Sequence, residues 1–435
     1  MLISVSISHA EGLKYPLPKL MSSNDFIVFD QKQAQLGQLL FYDKILSGNQ
    51  NISCGSCHHQ KLGGSDGLSL GIGEGGIGLG KQRTAGIKDD RIQKRIPRNA
   101  PALWNLGAKE IKLLFHDGRL SKSDFYENGF NSPAEEWLPK GLSNLVAAQA
   151  LLPLTSQFEM AGNPRENQVA GAAFDRIDKV WPILAKRVRI IPEYGELFVD
   201  AFAHISKPEQ VSIVEIGEAL AAFIGTEWFS IDSPFDAYLA GDKQALSTSQ
   251  MAGLDLFYGQ ANCAKCHSGS LLSDQNFYAL AIPPFGPGRT RRFDPYARDV
   301  GRMGASDRLE DAYRFRTPSL RNVVLTAPYG HNGAYPTLEG IIKHHLTPQL
   351  MFDNWTQNLA ELPPISWLKK ADFLVQADSR EMARVRNKID IVPVALTAKQ
   401  VTNLVDFMAS LTGNQAYNLP LGVPDSVPSG LEIDR

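Results

Sequence analysis

Cys54-Gly55-Ser56-Cys57-His58 and Cys263-Ala264-Lys265-Cys266-His267 repeat one pentapeptide pattern, and together they use every cysteine of the 435-residue chain. Cys-x-x-Cys-His is the attachment pattern of c-type haem. The two thiols add across the porphyrin vinyl groups, and the adjacent histidine sits beneath the iron as its proximal ligand. A zinc site is a poor account, because the two pairs lie in separate halves of the chain and a histidine follows each at the same place. A disulfide inside so short a loop would be strained. Cys54, Cys57, Cys263 and Cys266 therefore read as covalent anchors of two haems, with His58 and His267 as iron ligands.

Composition bounds the rest. The length suits two or three domains, and 43% hydrophobic residues supply real cores. A net charge of -2 gives no reason to expect nucleic acid or an anionic membrane surface as partner. No apolar run reaches the roughly 18 residues a membrane span needs. Haem is joined to thiols outside the bacterial cytoplasm, so a periplasmic, exported protein is expected. The start Met1–Ala10 has a short apolar stretch and a small residue before Glu11, but no basic segment. It reads as the remnant of an export signal or as a frayed terminus.

The expected fold is mainly α, with two cytochrome c-like domains, one covalent haem in each, and long irregular loops. Helical patterns run over 31–46, 211–229, 248–260 and 397–411, the last with Gly413 just past its end. Strand signals are sparse. The reading divides the chain into a terminal segment (1–21), an N-terminal domain (22–208), a C-terminal domain (209–415) and a Pro/Gly-rich tail (416–435), with the border near Lys207-Pro208.

Residues 63–80 contain nine glycines. Gly71-Ile72-Gly73-Glu74-Gly75-Gly76 satisfies a dinucleotide-binding pattern, but no strand precedes it and a haem motif does. Gly75 to Lys81 mimics a phosphate-binding loop, yet Gln82 stands where a hydroxyl must bind magnesium. A loop folded close over a flat ligand is the better account.

Several further runs carry a resemblance. They are Leu36-Gly37-Gln38-Leu39-Leu40-Phe41-Tyr42-Asp43, Leu62-Gly63-Gly64-Ser65-Asp66-Gly67, Arg98-Asn99-Ala100-Pro101 and Asp117-Gly118-Arg119. To these are added the Gln149/Pro153/Glu159 spacing, Thr317-Pro318-Ser319-Leu320-Arg321-Asn322 and Thr326-Ala327-Pro328-Tyr329-Gly330-His331-Asn332-Gly333. In this order, over about residues 30–415, the chain resembles the bacterial di-haem cytochrome c peroxidases. That superfamily also holds the MauG-type enzymes, which oxidise protein side chains.

The resemblance implies roles. The N-terminal haem on His58 would be the peroxide site, with Glu159 as distal acid–base residue, Gln149 orienting peroxide and Pro153 crowding the pocket. One carboxylate above the iron can move a proton from the bound oxygen to the leaving oxygen. The C-terminal haem on His267 would transfer electrons. Its sixth ligand, methionine in the peroxidases and tyrosine in MauG-type enzymes, falls on His345, with His344 as runner-up and Met303 or Met351 next. A calcium ion would take the Asn99 side chain and the carbonyls of Thr326 and Pro328.

Three departures stand out. Glu74 occupies the place of a histidine that caps the peroxidatic iron in many relatives, so that iron is expected to be open at rest. His116 replaces the tryptophan between the haems, with Trp104 a conceivable substitute in electron transfer. Segments 121–148 and 346–396 exceed the compact family pattern and could shape a partner surface. The leading expectation is a peroxidase reducing hydrogen peroxide with electrons from a small cytochrome c or cupredoxin. The alternatives are a MauG-like oxidase of a protein substrate and a non-catalytic electron carrier. A homodimer is compatible with the resemblance.

Overall fold

The computed structural model describes residues 13–87, 91–290 and 297–435. The export-signal reading of Met1–Ala10 lies outside the described residues. The protein is helical with little sheet, as the sequence suggests. Three short antiparallel strands (Leu113–Leu114, Leu120–Lys122, Phe130–Asn131) form one ribbon, and Phe277–Tyr278 pairs with Phe315–Arg316. Among the described residues no helix is long and apolar enough to cross a membrane.

Each haem motif is delivered by the same local device. The helix Gln31–Tyr42 starts at Asp30, whose carboxylate accepts from the backbone N–H of Lys32 and Gln33 and so satisfies two otherwise orphaned donors. It crosses the helix Ile213–Glu227, which opens on a capping box between Ser212 and Glu215. The crossing is close because of Gly37: a Cβ there would lie 1.9 Å from the Ala219 carbonyl oxygen. In the second half, the helix Thr248–Phe257 crosses the helix Ala398–Ala409, and a Cβ on Gly253 would lie 2.0 Å from the Asn403 carbonyl oxygen. One turn on from each glycine a phenylalanine packs across the crossing: Phe41 on Phe223 at 5.0 Å, Phe257 on Phe407 at 5.2 Å. Burial of each ring is worth about 1.5–3 kcal/mol. Tyr42 and Tyr258 follow directly, both buried, ahead of the two motifs.

Two helix ends differ from the periodicity. The pattern over 31–46 stops at Tyr42, because the Asp43 carboxylate turns to accept from Ile45 N–H and starts a separate turn, Lys44–Leu46. The pattern over 248–260 stops at Phe257.

Two apolar cores follow one another along the chain. Helix Ile213–Glu227 buries Ile216, Leu220 and Phe223 with Leu36, Leu40 and Phe41 in the first core, which runs on to Trp228. The second core begins at Phe235. Lys207-Pro208 leads into a short turn, Pro208–Gln210, ahead of the helix Ile213–Glu227. The tail returns to the first core as well. Ala416, Val427 and Ile433 are buried there, and Glu227 accepts from the N–H groups of Leu421 and Gly422, both at 2.9 Å.

Candidate haem and peroxide site

The histidines of the two motifs are held in the same way. His58 Nδ1 donates to the Gly64 carbonyl at 3.0 Å, and His267 Nδ1 donates to the Leu272 carbonyl at 3.0 Å. A carbonyl only accepts, so this bond fixes the tautomer and leaves Nε2 with its lone pair for a metal. Burial pulls both imidazoles toward the neutral form, His267 down to about 4 with His345 adding to the effect. Burial likewise pushes the Cys54, Cys57 and Cys263 thiols up to about 12. The four cysteines form no disulfide.

Cys263, Cys266 and His267 line a cavity of about 670 Å³ whose walls include Leu271, Ile282, Leu404 and Met408. A large apolar slot, two thiols and a neutral imidazole together fit a covalently held haem. Trp104 Nε1, buried on the same wall without a protein partner, supplies a donor for a polar edge of such a group.

His345 lines this cavity, whereas Met303 and Met351 do not. His345 Nδ1 donates to the Ile341 carbonyl at 2.8 Å, which again directs the Nε2 lone pair elsewhere. His344 is different. Its two ring nitrogens are taken by Tyr335 Oη (2.8 Å) and the Leu280 carbonyl (2.6 Å), and it is fully buried.

The three residues expected above the first haem follow one another through a change of backbone. Gln149 lies in the last turn of the helix Leu145–Leu151, Pro153 opens a short turn, and Glu159 sits in a single π-helical turn, Gln157–Ala161. That turn is held by Ala161 N–H on the Ser156 carbonyl (2.9 Å) and Gly162 N–H on the Gln157 carbonyl (3.0 Å). Such turns concentrate at functional positions, because one extra residue re-aims a side chain. Burial pushes the Glu159 carboxyl up, while Arg119, Arg289 and a Ser156 hydrogen bond oppose it. The charge of Glu159 in turn acts on the Cys57 thiol, whose rise is caused chiefly by burial.

Arg119 and Arg289, which act on Glu159, also belong to a charge network around the buried Asp117. Asp117 meets Arg98 at 2.8 Å, Arg119 at 3.1 Å and Arg289 at 3.4 Å. Against the pull of burial, these guanidinium groups hold its carboxyl far below the usual carboxylate range. Arg98 also binds Asp299 through paired contacts of 2.7 and 2.8 Å. Sequence reasoning assigned no role to Arg289 or Asp299. They lie in the Pro/Gly-rich stretch 281–304, which has no periodicity to read.

Asn99, His116, Thr326, Pro328 and His331 all line the cavity. Asn99 Nδ2 donates to the Leu68 carbonyl at 2.7 Å, leaving Oδ1 as the atom for a hard cation. His116 Nε2 donates to the Asn99 carbonyl at 3.0 Å, and burial pulls His116 down to about 4. His331 stacks on Phe315 with centroids 3.6 Å apart and 9° between planes. Glu74 accepts from Asn49 and Asn51 amides at 2.8 and 2.7 Å.

Residues 31–244 match the family model described as di-haem cytochrome c peroxidase. The cytochrome-c peroxidase IdrP1 of Pseudomonas sp. (strain SCT) is 30% identical over 347 residues, covering 75% of either chain. The chain belongs to the di-haem cytochrome c peroxidase family. It is a haem-dependent oxidoreductase of the peroxidase class. The MauG branch is near too: the methylamine utilization protein MauG of Methylorubrum extorquens is 25% identical, over 85% of this chain and 81% of that one. Among solved structures, a MauG-like protein associated with microbial copper homeostasis is similar at a TM-score of 0.59 and 26% identity, covering 94% of this chain and 97% of that chain.

Proposed function

We propose that this protein reduces hydrogen peroxide to two waters at an N-terminal haem, drawing two electrons through a C-terminal haem and two protons from solvent. Each haem is joined to its own motif through Cys54 and Cys57 or Cys263 and Cys266. The bound haems supply the peroxide-binding iron and the electron path. The chain supplies the rest. His58 and His267 would each hold an iron through Nε2, and His345, which lines the same cavity as His267, would offer a further Nε2 to the second haem. Glu159 accepts the proton of the nearer peroxide oxygen and returns it to the farther one, so that water rather than hydroxide leaves. Gln149 orients the substrate with one neutral amide, and Pro153 narrows the pocket.

The observation that carries this reading is the placement of Glu159. It lies in a π turn, and burial raises its carboxyl against the opposing charges of Arg119 and Arg289. A pure electron carrier has no use for such a group. Asn99, Thr326 and Pro328 would hold a calcium ion between the two haem regions. The electron donor would be a small cytochrome c or cupredoxin in the periplasm.

Oxidation of a partner protein is the second reading. It draws support from Glu74, bound by two asparagine amides where a capping histidine would stand, and from a non-methionine residue, His345, at the second haem. The whole account is tested by intact mass after expression in a host that matures cytochromes c. The expected mass exceeds that of the polypeptide by two haems that acid–acetone does not extract. One haem or none would refute it.

A further inference from the structure

Part of the long C-terminal insertion, residues 361–372, lies against the first haem region. It grips the glycine-rich segment formed by residues 68–87 and 91–96. Arg95 is only 2% exposed; its Nε lies 3.0 Å from each carboxylate oxygen of Asp372, and its Nη2 donates to the Pro363 carbonyl at 2.7 Å. Trp367 Nε1 donates to the Ile92 carbonyl at 3.0 Å, and its ring carries the Arg91 guanidinium at 4.7 Å. Ser69 and Glu361 exchange two bonds, Ser69 N–H to the Glu361 carbonyl (3.0 Å) and Glu361 N–H to Ser69 Oγ (2.8 Å). Ile365 and Leu368 close an apolar cluster with Leu68, Ile72, Ala85 and Ile92.

The opposite side of the same segment touches the catalytic turn. A Cβ on Gly73 would lie 1.9 Å from the Phe158 carbonyl oxygen, and Glu74 N–H donates to that oxygen at 3.1 Å. The Lys94 ammonium lies 5.6 Å from the centre of the Phe158 ring. Phe158 precedes Glu159. The segment is thus held between the insertion and the turn that carries the distal carboxylate.

We propose that Arg95, Asp372 and Trp367 form a clamp from the C-terminal half that positions Glu159, acting through the glycine-rich segment. This rests on the reading of Glu159 given above. The need for a clamp follows from composition. Gly71, Gly73, Gly75, Gly76, Gly78 and Gly80 give the segment large backbone freedom. Arg83 restrains its internal shape by donating to the carbonyls of Ile72 (2.6 Å), Gly78 (2.6 Å) and Gly73 (3.1 Å). Those bonds tie the segment to itself; outside it, Glu74 is held by the Asn49 and Asn51 amides, Leu68 by Asn99 and Ser69 by the Gly333 carbonyl, while the stretch 91–96 is held by the insertion. Proton transfer needs a carboxylate placed to within about half an ångström. The clamp adds a reference from a part of the chain far away in sequence.

The test compares the holoenzyme with its Asp372→Asn, Trp367→Phe and Arg95→Lys variants by hydrogen exchange and by peroxide kinetics. Trp367→Phe keeps the ring and removes one donor, so it remains informative if the charge variant fails to fold. Asp372→Asn and Trp367→Phe are expected to raise amide exchange in residues 69–87 and 91–96 by roughly tenfold. Exchange in Gln31–Tyr42 and the spectrum of the second haem should not change. In the same variants kcat should fall about tenfold with KM nearly constant, and the acid limb of the kcat profile should move. Arg95→Lys, which keeps the charge, should recover part of the loss. Unchanged exchange would overturn the clamp. Raised exchange with unchanged kcat and pH profile would reduce it to a structural tie and overturn the positioning role. Absence of peroxide reduction in the unsubstituted holoenzyme would overturn the reading of Glu159 instead, a separate result.

Discussion

The rings of His344 and His345 stand at 88° to one another with centroids 6.5 Å apart, so adjacent residues of one helix serve different surroundings. His344 is committed to Tyr335 and Leu280, and His345 faces the cavity of His267. His345→Ala should therefore convert the second haem from low spin to high spin or admit water, and slow electron delivery to the first. His344→Ala should cost about 1–3 kcal/mol of stability through unpaired buried partners while leaving that spectrum nearly unchanged. A spectral change that follows His344 would reverse the assignment.

Glu159→Gln keeps the size and the carbonyl of the side chain and removes the base. Peroxide turnover should drop by about 10²–10⁴ with both haems in place. The pH profile gives a second check. The working form is the carboxylate, and burial raises its protonation point above the ordinary 4.5. Activity should therefore fall as pH drops through that raised value, at a higher pH than an exposed glutamate would give, and Glu159→Gln should abolish this limb. Turnover near wild type in the variant would remove Glu159 from the chemistry.

Calcium should be found at one ion per chain by elemental analysis after dialysis against a calcium buffer. Asn99→Ala should lower that occupancy and slow transfer between the haems, because Oδ1 is the side-chain oxygen left for the ion. A metal-free holoenzyme with full electron transfer would exclude the site.

Gly37→Ala and Gly253→Ala each force a methyl group against a backbone oxygen at about 2 Å. Each should destabilise by about 1–3 kcal/mol in denaturant titrations. Gly141→Ala serves as control: its φ of 99° strains the substitution, but the nearest atom to a Cβ there is 3.8 Å away. Equal losses at Gly37 and Gly141 would mean that the close crossing contributes nothing.

Local chemistry explains what was legible in the sequence. The haem motifs are contiguous and consume all the thiols, so no packing information is needed to see them. Helices such as Ile213–Glu227 carry both a cap and a period. Which core that helix would join depends on Gly37 opposite Ala219, a contact between residues far apart in sequence, and the sequence offered no means to weigh it. The placing of Arg289 and Asp299 beside Arg98 and Asp117 was hidden for the same reason, since an irregular loop is positioned by its partners. His345 was reached by spacing alone. The difference between it and His344 lies in which ring nitrogens find backbone carbonyls, a matter of geometry.

The most direct test of the central claim is the low-temperature EPR spectrum of the fully oxidised holoenzyme. With Glu74 bound to Asn49 and Asn51, and His345 at the second cavity, the account predicts one high-spin ferric signal from the haem on His58 and one low-spin signal from the haem on His267. The high-spin signal should disappear on adding peroxide, without prior reduction. Two low-spin signals with no high-spin component would contradict it, because the first haem would then be closed by a residue this account leaves elsewhere.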